Sequence, residues 1–384
     1  MKNLVTAAVF AVLLAWTTGC ARIDSVWSGK TLDGVATVAQ SNTVPTGVTT
    51  LEVENKFGAL HVVGVDSDAR WTWTLAARAD TDVLAGEAAA MAACTAVQEG
   101  NRFKLQVALP PQTSARSYRS DLVVHVPRAV NVVARNGFGE TLVSGVNGKV
   151  DTSSAHGRMT LENIGGEVRA RNSFGTLGVT DAGPANLSNS HGDLKAARIK
   201  GRLDAESSFG TIEVSDVDGE VKLRNQHGRL DVHDVQGGAD LRTTFGSLNV
   251  TRIAGDTLLN NHHGSVDATD ITGSVTATTS FSRLNIAGSG ASYVCRNQHG
   301  SIQLNAASPG VTNVDVETSF GSIDVRLRKE LKPVVVARTS FGEVESDFPV
   351  ILKPRGADAF EHADSTAARV SLGNRHGSIK LLKE

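Results

Sequence analysis

One short phrase recurs from Asn136 to Gly321 and limits what this chain can become: a polar residue, any residue, Phe or His, then usually Gly. It places Phe138, His156, Phe174, His191, Phe209, His227, Phe245, His263, Phe281, His299 and Phe320 at steps of 18, 18, 17, 18, 18, 18, 18, 18, 18 and 21 residues. A fixed period of this length is the signature of a repeat architecture. Within one unit, Ile212 and Val214 alternate with polar residues, Val217 closes the run, Gly219 breaks it, and Val221 and Leu223 alternate again. Period-two runs of four to six residues predict half-buried strands, so each unit reads as two short strands and two turns. One unit cannot cover its own apolar face, but stacked units can, each strand pairing in parallel with its neighbour ~4.8 Å away. The expected fold class is all-β, a parallel β-solenoid of 18-residue repeats.

A second period overlies the first. The residue two before the ring alternates with it: Ser207 with Phe209, Asn225 with His227, Thr243 with Phe245, Asn261 with His263, Thr279 with Phe281, Asn297 with His299. The alternation favours a coil of 36 residues built from two 18-residue halves, with Phe stacked on Phe and His on His. In an 18-residue coil, Phe and His would instead alternate in one column.

The composition suits a repeat of small and branched residues rather than a core of large aromatics, with 38 Gly and only 5% aromatic residues among 384. The formal charge is −2, and −3 once Lys2 departs with a leader, so no basic field exists to attract nucleic acid. No P-loop, dinucleotide fingerprint, HExxH, CxxC or nucleophile elbow is present, and no cofactor is implied.

Residues 1–20 combine a positive start, an apolar stretch from Leu4 to Trp16 and Thr17-Thr18-Gly19-Cys20. This pattern predicts a secretory leader too short to span a membrane. Gly19-Cys20 resembles the end of a bacterial lipobox, which implies that Cys20 is the lipidated first residue of the mature protein. Acyl chains such as palmitate would hold it to a membrane. Ala21, rather than Asp, resembles an outer-membrane address where the source has two membranes. Residues 21–47 read as a tether and 48–384 as the solenoid domain, with an early copy of the phrase at Asn55-Lys56-Phe57-Gly58. Residues 66–130 interrupt the repeat. They read as a strand at Trp71–Leu75, a helix at Asp82–Val97 and strands at Phe103–Leu109 and Leu122–Val126, a natural cap for an open solenoid end. Later copies stand at Phe341-Gly342 and Asn374-Arg375-His376-Gly377, separated by an irregular segment from Phe348 to Ala368.

Leu51-Glu-Val-Glu-Asn-Lys-Phe-Gly, Val126-Pro127 leading to Val132-Val-Ala-Arg-Asn, and the tandem Gly-x-[Leu/Ile]-x-[Val/Ala] strands resemble the bacterial "putative adhesin" repeat domains, a family also described as a domain of unknown function. The resemblance spans about residues 50–384. It implies a right-handed parallel β-helix at the cell envelope with a role in adhesion or scaffolding, and it supplies no catalytic residues.

Two rows could carry chemistry. His156, His191, His227, His263 and His299 share one repeat position, with His262 beside His263. In a 36-residue coil these imidazoles would stack ~4.8 Å apart, close enough to share Zn²⁺ or to respond together to acid. The plainer reading is that each His bonds its own turn. Seven residues beyond each ring come Asn163, Asp181, Arg198, Asp216, Asp234, Arg252 and Asp270. These read first as turn caps, then as a stripe gripping sugar hydroxyls, and last as an acid and base, Asp216 with Asp234 or Asp181 with Asp216. Cys94 and Cys295 read as two free buried thiols. The expectation is a non-enzymatic, lipid-anchored envelope protein, an adhesin or scaffold, that binds polysaccharide or an envelope protein along a solenoid face. The alternatives are a polysaccharide-active enzyme and a metal-binding or pH-sensing envelope component using the His row.

Overall fold

The computed structural model describes residues 34–110, 117–306, 308–351 and 367–384, so the leader, Cys20 and the first part of the expected tether lie outside the described residues. The chain divides into two compact units, residues 1–167 and 168–384.

In the second unit each coil consists of two strands, and a coil is named here by its ring residue. The Phe209 coil has strands Leu203–Phe209 and Ile212–Val217. The first strand pairs in parallel with Ala185–His191 on one side and Val221–His227 on the other, with Phe209 in register with both His191 and His227. The second pairs with Leu194–Ile199 and Leu230–Val235. One coil is therefore 18 residues, and the 36-residue reading is overturned. Two strands and two turns already return the chain above its start, so the alternation in sequence marks contact between unlike rings rather than like on like.

Leu203 and Ala205 from the first strand, and Ile212, Val214 and Val217 from the second, point inward and are buried. Burying such an aliphatic side chain is worth ~1.5–3 kcal/mol, and the same set recurs in each coil. The ring turn needs glycine. Gly210 has φ 118° and Gly228 has φ 128°, a region that L side chains rarely enter. Ser282 is the exception, with φ 88° where its neighbours carry Gly. A serine held there costs ~1–3 kcal/mol of strain. We expect Ser282→Gly to raise stability by about 1 kcal/mol, read from urea unfolding; an unchanged or lower midpoint would show that the serine is not strained.

The first unit begins with β1 (Gly34–Thr43), β2 (Thr50–Phe57), β3 (Leu60–Val65), β4 (Arg70–Ala79) and α1 (Asp82–Ala90). It continues with β5 (Ala93–Glu99), β6 (Arg102–Ala108), β7 (Ser117–Pro127), β8 (Asn131–Phe138), β9 (Thr141–Ser144), β10 (Val150–His156) and β11 (Met159–Ile164). The β2–β3 coil does not lie at the end of its stack. It sits between the β6–β7 and β8–β9 coils, pairing in parallel with both. Outside β7 come β4 and then β1, both antiparallel, and outside β6 comes antiparallel β5. Two sequence expectations are corrected here. Residues 34–43, read as tether, form β1, with Val38 buried as it pairs along β4. The expected helix to Val97 stops at Ala90 with Met91 as its C-cap, because Thr95 and Val97 favour the strand that pairs with β6. Cys94 thus lies on β5 rather than on a helix. Trp73 is fully buried and its indole N–H donates to Ser120 Oγ at 2.7 Å, while Ser120 Oγ donates to Asn55 Oδ1 at 2.9 Å.

At the far end of the second unit the stacking order departs from the chain order. The C-terminal coil, Arg369–His376 with Ile379–Lys383, pairs on one side with Asn313–Phe320 and Ile323–Leu327. On the other side it pairs with Val334–Phe341 and Val344–Ser346. The last coil made is thus inserted between two earlier ones, and the two Phe coils that follow each other in sequence are separated in space by a His coil.

Candidate functional site: a ladder of stacked rings

Because every ring occupies the same register position, strand spacing alone brings consecutive rings into van der Waals contact. In the second unit Phe174, His191, Phe209, His227 and Phe245 stack with centroids 4.7, 5.1, 4.8 and 5.0 Å apart. The column continues through His263, Phe281, His299, Phe320, His376 and Phe341 at 4.7, 4.9, 5.1, 5.1, 4.7 and 4.8 Å. All these pairs are within 16° of parallel. In the first unit Phe57 stacks on Phe138 at 5.1 Å and Phe138 on His156 at 4.4 Å. Each pair adds ~0.5–1.5 kcal/mol to the coil stack. The faces of the inner rings are filled by their neighbours, and their edges point to solvent. Phe174, Phe209, Phe245, Phe281 and Phe320 remain 41–45% exposed.

The buried residue two before each ring secures the turn. Asn225, Asn261, Asn297 and Asn374 donate through Nδ2 to the carbonyls of Gly210, Gly246, Ser282 and Gly321 at 2.7–2.9 Å. Each acceptor is the turn residue of the adjacent Phe coil. Among the shorter side chains of the Phe coils, Ser207 Oγ and Thr279 Oγ1 donate within their own turn, to the Phe209 and Phe281 carbonyls at 3.3 and 3.1 Å, whereas Thr318 and Thr339 donate to the Gly300 and Gly377 carbonyls of the adjacent His coil at 3.3 and 3.4 Å.

The alternation settles the geometry of the His row. His191, His227, His263 and His299 recur at every second coil, ~9.6 Å apart with a Phe between, not the ~4.8 Å of the longer coil. No two of them can share one ion. His262 does stack on His263 at 4.5 Å and 12°, but parallel rings aim their nitrogen lone pairs side by side rather than at one point. Among the described residues no group of three His, Cys, Asp or Glu is placed to hold a metal.

The row seven residues beyond the rings shapes a corner. Asn163, Asp181, Arg198, Asp216, Asp234, Arg252 and Asp270 all have φ between 52° and 60°. This left-handed residue shifts the strand's alternation by one, so that Val217 turns inward after Val214 instead of outward. Asn and Asp tolerate that conformation best. The two arginines reach back to the preceding coil: Arg198 grips Asp181 at 2.7 and 2.8 Å, and Arg252 grips Asp234 at 2.6 and 2.8 Å. His233 Nδ1 lies 2.9 Å from the same Asp234. The Arg198 guanidinium holds the Asp181 carboxyl below its usual range, and Arg252 together with His233 holds Asp234 well below it. A glycosidic general acid needs the opposite shift. Asp181 and Asp216 also lie two coils apart with Arg198 between them. Substituting Arg252→Ala should move the Asp234 titration upward, seen by carbon-13 NMR. Global stability should barely change, because the pair is exposed; an unmoved titration would contradict the assignment of Arg252 as its main cause.

A shallow groove of about 710 Å³ lies over the first-strand face of the second unit, where Gly238 interrupts a column carrying Arg202, Glu220 and Asp256. Two of its three carboxylates are engaged: Asp256 Oδ1 accepts the Ser274 N–H at 2.8 Å and Asp240 binds Arg242 at 2.8 Å. Cys94 and Cys295 are free and buried, and burial pushes each thiol up to about 12.

No family model matches the chain, and no curated protein matches it. Three solved structures are similar, each at 10% identity. A putative cell adhesion protein from Clostridium sporogenes ATCC 15579 covers 90% of this chain and 99% of its own, with a TM-score of 0.18. A putative adhesin from Bacteroides fragilis NCTC 9343 covers 90% and 97%, with a TM-score of 0.21. A putative lipid binding protein from Parabacteroides distasonis ATCC 8503 covers 91% and 98%, with a TM-score of 0.22. The assignment of the β-solenoid rests on the parallel strand registers themselves.

Proposed function

We propose that the protein is a non-enzymatic, adhesin-like component of the cell envelope, held to a membrane by lipid on Cys20, that binds an extended protein partner along the ring ladder. The observation that carries this reading is the column of Phe edges, each more than two-fifths exposed, in a unit whose other apolar side chains are mostly buried. Phe edges kept at the surface at every second coil, with imidazole rings between them, form an aromatic strip of the kind that marks an interaction site. The filled ring faces favour a protein over a polysaccharide, because sugars stack on faces and only edges are on offer. The enzyme alternative gains no support from carboxylates held ionised by arginine, nor the metal alternative from imidazoles separated by phenylalanine.

The test is photocrosslinking of the full-length protein in its native cells, with a photoreactive residue at Phe209, Phe245 or Phe281 and, for comparison, at Glu213 or Asn249. One protein partner captured from the ring positions supports the reading. Capture of glycan alone, or of nothing above background, overturns it.

A further inference from the structure

The inserted C-terminal coil occupies a slot whose two walls are both Phe coils. His376 lies between Phe320 and Phe341, with centroids at 4.7 and 4.8 Å. Val370, Leu372, Ile379 and Leu381 complete the core there, each at most 1% exposed. Asn374 donates to the Gly321 carbonyl on one wall at 2.7 Å, and Lys380 pairs with Glu345 on the other at 3.0 Å. Every one of these contacts is non-covalent and repeats the pattern found at inner coils. The chemistry that recognises the coil is therefore general: a His-type coil fits between two Phe-type coils.

The connection to this coil is unlike the others. Consecutive strands elsewhere in the unit are joined by short turns, as Val217 is to Val221. Residues 352–368 separate the C-terminal coil from the strand that ends at Ile351. A chain of that length can reach ~50 Å or more when extended, so the covalent path does not oblige the coil to fill the slot of its own chain. The walls, Asn313–Leu327 and Val334–Ser346, lie in one continuous stretch of chain, and each pairs with the C-terminal coil rather than with the other.

We propose that the slot between the Phe320 and Phe341 coils is an exchangeable binding site, and that the C-terminal coil of a second copy of this chain can occupy it. The exchange reproduces every native contact between two chains, which is the condition under which swapped dimers cost little. The occupied slot is identical in monomer and dimer, so concentration sets the balance between them. This inference is independent of the ring ladder as a partner site.

The test uses full-length chains carrying Cys20→Ser. Glu317 and Gly373 are register partners across the slot, and an added Cβ at Gly373 comes no nearer than 3.5 Å to Glu317 Cγ. One copy carries Glu317→Cys and the other Gly373→Cys. They are mixed at high concentration, with and without a cycle of partial denaturation, and oxidised. The natural thiols Cys94 and Cys295 are buried and stay protonated. The expected result is a disulfide-linked heterodimer that doubles the mass from 40.3 kDa and is absent when both copies carry only Glu317→Cys. A chain with both cysteines confirms the pairing by cross-linking internally. If that chain fails to close, the register pair Asp324→Cys and Lys380→Cys replaces it. Internal closure with no heterodimer under any of these conditions would overturn the proposal.

Discussion

Removal of residues 367–384 is expected to dismantle two coils rather than one. In a stack ordered like the chain, deleting the last repeat would strip only the end. Here the deleted coil lies beneath the Phe341 coil, whose strands pair with it along Val334–Phe341 and Val344–Ser346. Four buried aliphatic side chains leave with it, at ~1.5–3 kcal/mol each before the entropy of the freed chain is counted. The net loss should be on the order of 5 kcal/mol, confined to this end because repeat coils are held mainly by their neighbours. Hydrogen exchange checks it directly. Protection should vanish over residues 334–346 and weaken at the newly bared edge of residues 313–327, while the Phe209 to Phe281 coils keep theirs. Unchanged protection at 334–346 would contradict the inserted order.

Gly246→Ala should be strongly damaging for the addition of a single methyl. Gly246 has φ 137°, and an added Cβ would stand 2.0 Å from the Gly228 carbonyl oxygen. That oxygen belongs to backbone rather than to a side chain that can swing away. Gly228 is itself fixed by its N–H bond to the Phe245 carbonyl at 2.8 Å. Conformational strain and the forced shift of a neighbouring coil together should cost about 4 kcal/mol. Gly373→Ala is the matched control, with no positive φ and only the flexible Glu317 side chain nearby, and should change stability by less than ~0.5 kcal/mol. Similar losses at both positions in urea unfolding would show that the ring turn does not depend on glycine.

Much of this fold is legible in the sequence, because the 18-residue return of Gly, Val and Leu reports strand pairing directly. What the sequence left open was which ring touches which. Ser207 with Phe209 and Asn225 with His227 alternate whether like stacks on like or unlike on unlike, and only the strand register decides. The order of the last coils was hidden for another reason. Phe320 and Phe341 follow each other without a His, a break in the alternation that reads as fading repetition but marks the slot for His376. The row from Asn163 to Asp270 reads in the sequence first as turn caps, yet its effect, returning Val217 to the core through a left-handed residue, depends on a backbone angle that charge patterning does not reveal. The helix after Asp82 ended early because an alanine run has no intrinsic stop, whereas pairing with Phe103 and Leu105 does.

The most direct measurement of the central claim keeps the ladder and removes its hydrocarbon edges. Replacing Phe209, Phe245 and Phe281 together by His retains a stacked ring at every coil, so the circular dichroism and unfolding midpoint should stay close to those of the parent. Photocrosslinking from His227 and His263, ring positions lying between the substitutions, should lose in that variant the partner that the parent captures. Retention of the same partner at undiminished yield would contradict the assignment of the ring ladder as the binding surface.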